Sequence, residues 1–143
     1  MIMPILTVND VDESVAFYKD KLGFNHDMTM APEDKSIFAI VRMGELAVFG
    51  LGTDAAAPKP PFAPGVQFMI YLPDGMSIDS YYADLKAKGV KLDDEVTDTY
   101  WGDRAFSLHD IDGYWLTFCV TVKQVPVEQM EASVRQRDGQ AAT

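Results

Sequence analysis

The sequence has few of the residues that usually build covalent cross-links or metal centres. It contains one cysteine, Cys119, and two histidines, His26 and His109, among 143 residues. A single cysteine excludes an internal disulfide and agrees with a reducing cytoplasm. Cys119 lies in an apolar run with no base beside it in the sequence, which predicts a buried and inert thiol.

Long apolar runs and nucleotide-binding motifs are also missing. No run approaches the roughly 20 residues that a membrane-spanning helix needs. The first residues, Met1–Leu6, lack a basic region and a cleavage site, which predicts that there is no signal peptide. The chain has no glycine-rich phosphate loop, no nucleophile elbow and no pair of cysteines two residues apart.

Basic residues are scarce, and this limits the partners. The chain carries 12 basic and 22 acidic residues, for a formal net charge of −10. Because the phosphate backbone of nucleic acid would repel such a body, we do not expect nucleic acid as a partner. The lack of a long apolar run predicts that a membrane is not a partner either. The same charge attracts cationic small molecules, and it also serves solubility.

What is present is a repeated order of elements. Asp74 follows Asp10 by 64 residues, and Gly89 follows Gly23 by 66, with the same kinds of segment between them. Each half reads β-α-β-β-β, over about 3–51 and 65–122. The predicted strands are Met3–Val8, Phe24–Met30, Ser36–Met43 and Glu45–Leu51, then Val66–Leu72, Val90–Leu92, Glu95–Tyr100, Arg104–His109 and Trp115–Val122.

The two helices and the connections follow from spacing and from turn residues. Residues at helical spacing define one apolar face in each half, and a glycine ends each helix. A proline-rich segment, 52–64, predicts an extended linker. Beyond residue 122 we expect a helix over Pro126–Arg137 and a disordered end from Asp138. The helix faces are Val11, Val15, Tyr18 and Leu22, and Ile78, Tyr81, Tyr82 and Leu85.

Three motifs in order carry a family resemblance. They are Val8–Tyr18 followed by Leu22-Gly23-Phe24, then Leu85–Val90, then Trp101–Leu108 followed by Asp110–Gly113. The chain resembles the vicinal oxygen chelate superfamily of glyoxalases, bleomycin-resistance proteins and extradiol dioxygenases. The pattern is most similar to bleomycin-resistance proteins and the PhnB-like branch. The resemblance implies an α+β fold in one domain, with two β-α-β-β-β repeats forming a cupped mixed sheet.

The resemblance also implies where a metal would bind, because relatives use four inward side chains on the first and last strands of each half. In this chain those positions correspond to Met3, Gln67, Thr117 and either Val48 or Phe49. Divalent ions prefer imidazole and carboxylate ligands, and only Gln67 offers a plausible oxygen. We therefore expect no metal and no other cofactor.

What remains is a candidate binding cup for a small organic ligand, with no catalytic residue assigned. Trp101 could stack a planar ligand, Arg104 could bind a carboxylate or pair with Asp103 or Asp98, and His109 could contact a ligand or bond to Asp110 or Asp112. Core packing is the alternative for several of these side chains. The candidates are Phe49, Gln67, Met69, Tyr71, Trp101, Arg104, His109 and Thr117.

Three functions stay open at this point. The first is a metal-free protein that binds a drug-like or aromatic compound. The second is a metal-dependent lyase, isomerase or dioxygenase of the same superfamily, and the third is a structural or regulatory module. We expect a homodimer, since one module leaves a sheet edge and a half-covered face open.

Overall fold

The protein folds as two similar halves, each with one four-stranded mixed sheet. The computed structural model describes residues 1–53 and 65–141, so most of the expected linker lies outside the described residues. In each sheet the first strand of that half pairs with the fourth, the third and second strands follow in that order, and neither sheet closes into a barrel. This confirms the predicted α+β fold with two β-α-β-β-β repeats.

The first half begins with a short edge strand and a capped helix. In its sheet β1 is parallel to β4 and the other neighbours are antiparallel. Asp10 caps α1 by accepting a hydrogen bond from the Glu13 backbone N–H at 2.9 Å. The elements are β1 (Ile5–Thr7), α1 (Val11–Ala16) continued by a π-helical turn (Phe17–Lys21), β2 (Asn25–Met30), β3 (Phe38–Met43) and β4 (Ala47–Gly52).

The second half repeats this arrangement. Ser77 caps its helix, and Gly89 follows the helix with φ +79°, the same value as Gly23 in the first half. Only glycine adopts this left-handed conformation without strain, so both helices end where the sequence predicted. The elements are β5 (Gln67–Tyr71), α2 (Ile78–Ala87), β6 (Thr97–Asp98), β7 (Asp103–His109), β8 (Trp115–Thr121) and the C-terminal α3 (Val127–Ala141).

One hydrophobic core joins the two halves. Helix α1 packs against β3 and β4, and α2 packs against β7 and β8. Aromatic rings cross between the halves, with Phe49 and Phe68 centroids 5.1 Å apart and Phe24 and Phe118 centroids 6.4 Å apart. Each sheet packs one face against helices. The other face of the second sheet, which we call its open face, is exposed at Gln67, Met69 and Tyr71 but under 10% exposed at its centre, and it carries the candidate site.

Two buried carboxylates fix the halves to each other. Asp112 accepts from the backbone and side-chain N–H groups of Asn9 and from the Ser14 hydroxyl, at 3.0–3.1 Å. Asp110 accepts from the Tyr18 hydroxyl at 2.6 Å. The turn that the sequence predicted at Asp110–Gly113 is thus also the main polar link across the molecule.

Several predicted boundaries were wrong. Val90–Leu92 is not a strand, and of Glu95–Tyr100 only Thr97 and Asp98 pair with β7. The connection between β3 and β4 is three residues, 44–46, rather than Gly44 alone. The C-terminal helix continues to Ala141, so the expectation of disorder from Asp138 fails as far as that residue. No helix among the described residues is long and apolar enough to span a membrane.

Candidate functional site

The open face of the second sheet gathers most of the predicted site residues. Side chains alternate along a strand, so every second residue of β5, β7 and β8 points away from the helices. The register of the parallel pair β5 and β8 places Gln67 beside Trp115, Met69 beside Thr117 and Tyr71 beside Cys119. The face is formed by Gln67, Met69 and Tyr71, by Asp103, Ala105, Ser107 and His109, and by Trp115, Thr117, Cys119 and Thr121.

A polar cluster occupies the middle of this face. Gln67 Nε2 donates to Thr117 Oγ1 at 2.6 Å, and the hydroxyls of Thr117 and Ser107 share a hydrogen bond at 2.7 Å. Thr117 and Ser107 are 5% and 9% exposed, whereas Gln67 reaches solvent. We call these three residues the polar cluster. Its members satisfy one another and present the Gln67 amide to anything that lies on the sheet.

Strand register gives Val48 and Phe49 opposite orientations at the fourth family position. Phe49 is 3% exposed and packs into the core beside Tyr18 and Phe24. Val48 is equally buried but lies outside the core cluster. Both residues line a pocket between the two sheets, so both remain candidates for this position.

A pocket of about 260 Å³ lies between the two sheets near these positions. Pro4 and Val48 line it from the first half, and Gln67 and Met69 line it from the second. Met3 is half-buried just before β1. The pocket thus lies where the first and last strands of the first half approach the first strand of the second half.

The residues at the family's metal positions do not fit a divalent metal. They offer a thioether, a hydrocarbon, an amide and a hydroxyl, and the last two are already bonded to each other. Divalent ions in such sites take imidazole nitrogen and carboxylate oxygen. Within residues 1–53 and 65–141, no group of three or more His, Cys, Asp or Glu side chains is arranged so that it could hold a metal ion. We therefore derive no chemical step through a metal.

Aromatic side chains stand at one end of the open face. Trp101 Nε1 and the Tyr71 hydroxyl both donate to Asp103 Oδ2, at 2.9 Å and 2.8 Å. The hydrogen bond to Asp103 and then burial raise the pKa of Tyr71 to about 12, so its hydroxyl remains a donor at neutral pH. Tyr71 is 51% and Trp101 37% exposed, which leaves ring surface for a ligand. We call Tyr71, Trp101 and Asp103 the aromatic corner.

The other end of the face carries His109 and Trp115. Their rings are nearly parallel, with centroids 6.4 Å apart, and Trp115 is 40% exposed. His109 Nδ1 lies 2.6 Å from Asp93 Oδ2, so its carboxylate partner is Asp93 and not Asp110 or Asp112. Trp115 pairs with Gln67, which is four residues before Tyr71 on β5. The positions of Trp115 and Tyr71 are therefore about 13 Å apart along the strand direction.

Arg104 does not belong to this face. Its guanidinium pairs with Asp79 of α2 at 2.8 Å and with Asp98 at 3.1 Å, on the helix side of the sheet. Of the two predicted partners, Asp98 is confirmed and Asp103 is wrong. A role for Arg104 in binding a ligand carboxylate on the open face is excluded by this orientation.

Cys119 lies beneath the aromatic corner and is fully buried, as predicted. Burial and the nearby charge of Asp103 raise the pKa of its thiol to about 12, although a hydrogen bond with Tyr71 acts in the opposite direction. Because the thiolate is the nucleophilic form, Cys119 is inert at neutral pH.

Sequence reasoning missed three residues of the site: Ser107, Asp103 and Trp115. Alternation along β7 and β8 would have placed Ser107 with His109, and Trp115 with Thr117. The sequence offers Asp103 only as a possible partner of Arg104, yet it is 3% exposed and lies on the opposite face of the sheet from Arg104. The signal for it was weak, because its partners Tyr71 and Trp101 come from a different strand and from a turn.

Comparison with known proteins places this geometry in a family. Residues 2–118 match the model of the glyoxalase/bleomycin resistance protein/dioxygenase superfamily. The chain belongs to that superfamily. It matches no protein of curated function.

Solved structures share the fold at low sequence identity. TioX from Micromonospora sp. ML1 has 18% identity and a TM-score of 0.68, with 85% of this chain and 98% of that chain covered. A glyoxalase/bleomycin resistance protein/dioxygenase from Alicyclobacillus acidocaldarius has 17% identity and a TM-score of 0.66, covering 86% and 92%. Virulence protein STM3117 from Salmonella typhimurium has 15% identity and a TM-score of 0.65, covering 85% and 96%. At these identities the likeness concerns the fold alone.

Proposed function

We propose that this protein binds a small, largely planar organic molecule on the open face of its second sheet, without a metal ion and without chemical turnover. The observation that carries the proposal is the polar cluster. Gln67 and Thr117, at two family metal positions, bond to each other and, through Thr117, to Ser107. A site organised in this way offers hydrogen bonds to a ligand instead of a metal.

Exposed aromatic rings on the same face support stacking of a planar ligand. Tyr71, Trp101 and Trp115 each expose between 37% and 51% of their surface. Aromatic side chains present large rigid faces at low entropic cost, and a stacked pair contributes about 1 kcal/mol beyond the area that it buries. Contiguous exposed apolar surface often marks a binding site, and the Tyr71 and Trp101 side chains adjoin each other at Asp103.

The test is calorimetric titration with a panel of planar aromatic and glycopeptide compounds, using wild type and Trp101→Ala. We expect Trp101→Ala to weaken binding several-fold, because it removes about 1 kcal/mol of stacking. Tyr82→Ala is the matched control, since Tyr82 lies on α2 against Phe106 on the other side of the sheet. It should leave affinity unchanged.

Two alternatives have distinct outcomes in the same experiment. If no compound binds either protein, the domain is a structural or regulatory module and the proposal is wrong. Turnover of the methylglyoxal–glutathione adduct or of a catechol would instead support a metal-dependent lyase, isomerase or dioxygenase.

We also propose that the protein forms a homodimer. Exposed apolar side chains lie on the first half, with Ile2 85%, Ile5 62% and Leu46 89% exposed, and the edge strand β2 is exposed along its whole length. A two-fold partner would bury such surfaces. Light scattering at tens of micromolar protein should give twice the chain mass, and a monomer would contradict the proposal.

The compartment that we propose is the cytoplasm. The chain has one cysteine and it is buried, so the fold gains nothing from an oxidising environment. Cell fractionation tests this, and recovery outside the cytoplasmic fraction would contradict it.

A further inference from the structure

Asp103 is a nearly buried carboxylate with one oxygen uncommitted. It is 3% exposed, and both the Tyr71 hydroxyl and Trp101 Nε1 donate to its Oδ2. Its Oδ1 accepts no hydrogen bond from any described residue, yet it is not sealed from solvent, since the described residues include no fully buried polar side-chain atom without a partner. The carboxylate therefore lies beside the Tyr71 and Trp101 side chains with Oδ1 free of hydrogen bonds to the described residues.

Arg104, the basic residue next to Asp103 in the sequence, does not neutralise this charge. Arg104 follows Asp103 in β7 but pairs with Asp79 and Asp98 on the helix side. Within the described strands, no lysine or arginine stands at any open-face position of the second sheet. The net charge of −10 adds a general attraction for cations.

The neighbouring aromatic pair already attracts a cation within the molecule. Tyr100 and Trp101 meet edge to face with centroids 5.0 Å apart, and the Arg137 guanidinium lies 5.9 Å from the Tyr100 ring centroid. Cations are drawn to the faces of Trp and Tyr rings within about 6 Å by the ring quadrupole.

We propose that the aromatic corner binds the cationic group of an aromatic ligand, with the Tyr71 and Trp101 rings facing the cation and Asp103 Oδ1 supplying the counter-charge. This inference rests on the proposed function and narrows it, because it assigns the ligand a positive charge. An anionic ligand would meet Asp103 without a lysine or arginine at any described open-face strand position to compensate its charge.

The test uses three probes that share one ring system and differ in charge: acridine, N-methylacridinium and acridine-9-carboxylate. Each is titrated calorimetrically into the full chain at a mildly alkaline pH where acridine is uncharged. We expect N-methylacridinium to bind wild type about tenfold more tightly than acridine, and the carboxylate to bind most weakly. The preference should shrink as salt is raised, because the charges are partly exposed.

Asp103→Asn is the decisive variant. The amide keeps an oxygen that can accept from Tyr71 and Trp101 but removes the charge, so the preference for N-methylacridinium should fall to about twofold or less. Asp20→Asn is the matched control, because Asp20 is exposed in the first half and its loss changes the net charge equally. It should retain the tenfold preference.

A second variant tests the proposal independently in case Asp103→Asn does not fold. Tyr71→Leu keeps the carboxylate and removes one exposed ring, and we expect it to lower the affinity for N-methylacridinium at least threefold more than that for acridine. Circular dichroism and melting temperature show whether each variant is folded.

The outcomes separate this inference from the proposed function. If acridine binds wild type as tightly as N-methylacridinium does, or if the preference survives Asp103→Asn, the cationic assignment is wrong while ring binding stands. If none of the probes and no compound of the aromatic panel binds, both are wrong.

Discussion

The buried carboxyl group of Asp110 makes the stability of the protein depend on pH. Burial raises its pKa, against the opposing effects of hydrogen bonds from the Tyr18 hydroxyl and the backbone N–H groups of Tyr114 and Asp112. The folded protein therefore holds this proton to a higher pH than the unfolded chain does. Between the two pKa values the folded state binds more protons, so stability falls as pH rises through that window.

Asp110→Asn should remove that part of the pH dependence. We expect the free energy of unfolding of the variant to fall less steeply than that of wild type as pH rises from the usual aspartate pKa upwards. The amide can still accept the two backbone hydrogen bonds and meet the Tyr18 hydroxyl, so the fold persists. Urea unfolding across pH measures this, and parallel curves for the two proteins would contradict it.

The candidate site shows what single residues reveal in sequence. Alternation correctly placed Gln67, Met69 and Tyr71 on one face, because the period of a strand is fixed. The face of Arg104 could not be read in the same way. Alternation along a strand shows which residues share a face. A contact such as that between Arg104 and Asp79 of α2 is needed to show whether that face lies against the helices or away from them.

Helices and strands could be predicted where hydrophobic periodicity and capping residues agree. They could not be predicted where a side chain takes a hydrogen bond that a neighbouring strand would otherwise make. Val90, Leu92 and Val96 look like strand residues and pack against the core, yet none is in a strand. The Ser107 N–H is taken by the Asp94 carboxylate at 2.7 Å, and the Asp93 N–H donates to the Ser107 carbonyl. Such a connection has no signature in hydrophobic pattern.

The turn before β7 depends on a glycine. Gly102 has φ +100°, and a Cβ there would lie 2.2 Å from the Lys123 carbonyl oxygen. Its own carbonyl accepts from the Val122 and Lys123 N–H groups. The turn that carries Trp101 is thus packed directly against the chain that leaves β8.

Gly102→Ala should destabilise the protein by about 2–4 kcal/mol, from backbone strain together with displacement of the adjoining segment. Gly89→Ala is the control, because Gly89 has φ +79° with nothing within 4 Å of the added carbon. It should cost only about 1 kcal/mol. Equal losses in denaturant unfolding would show that the contact with Lys123 is unimportant.

At the scale of the whole molecule, the two halves have the same fold and share one hydrophobic core. The shared core and the Asp110–Asp112 link hold the sheets so that β1 and β4 meet β5. Where the superfamily arrangement would collect metal ligands, this chain has hydrogen bonds among Gln67, Thr117 and Ser107. The fold was readable from sequence because it depends on periodicity, and the cluster was not, because it depends on register between distant strands.

A metal-free site is tested most directly by calorimetric titration of N-methylacridinium into protein dialysed against a chelator, repeated after adding Zn²⁺, Mn²⁺, Ni²⁺ or Fe²⁺. We expect the same affinity in every case and no heat of stoichiometric metal binding at the polar cluster. Binding that appears only after a metal is added, or a stoichiometric ion that survives dialysis and is lost in Gln67→Ala, would contradict the metal-free site.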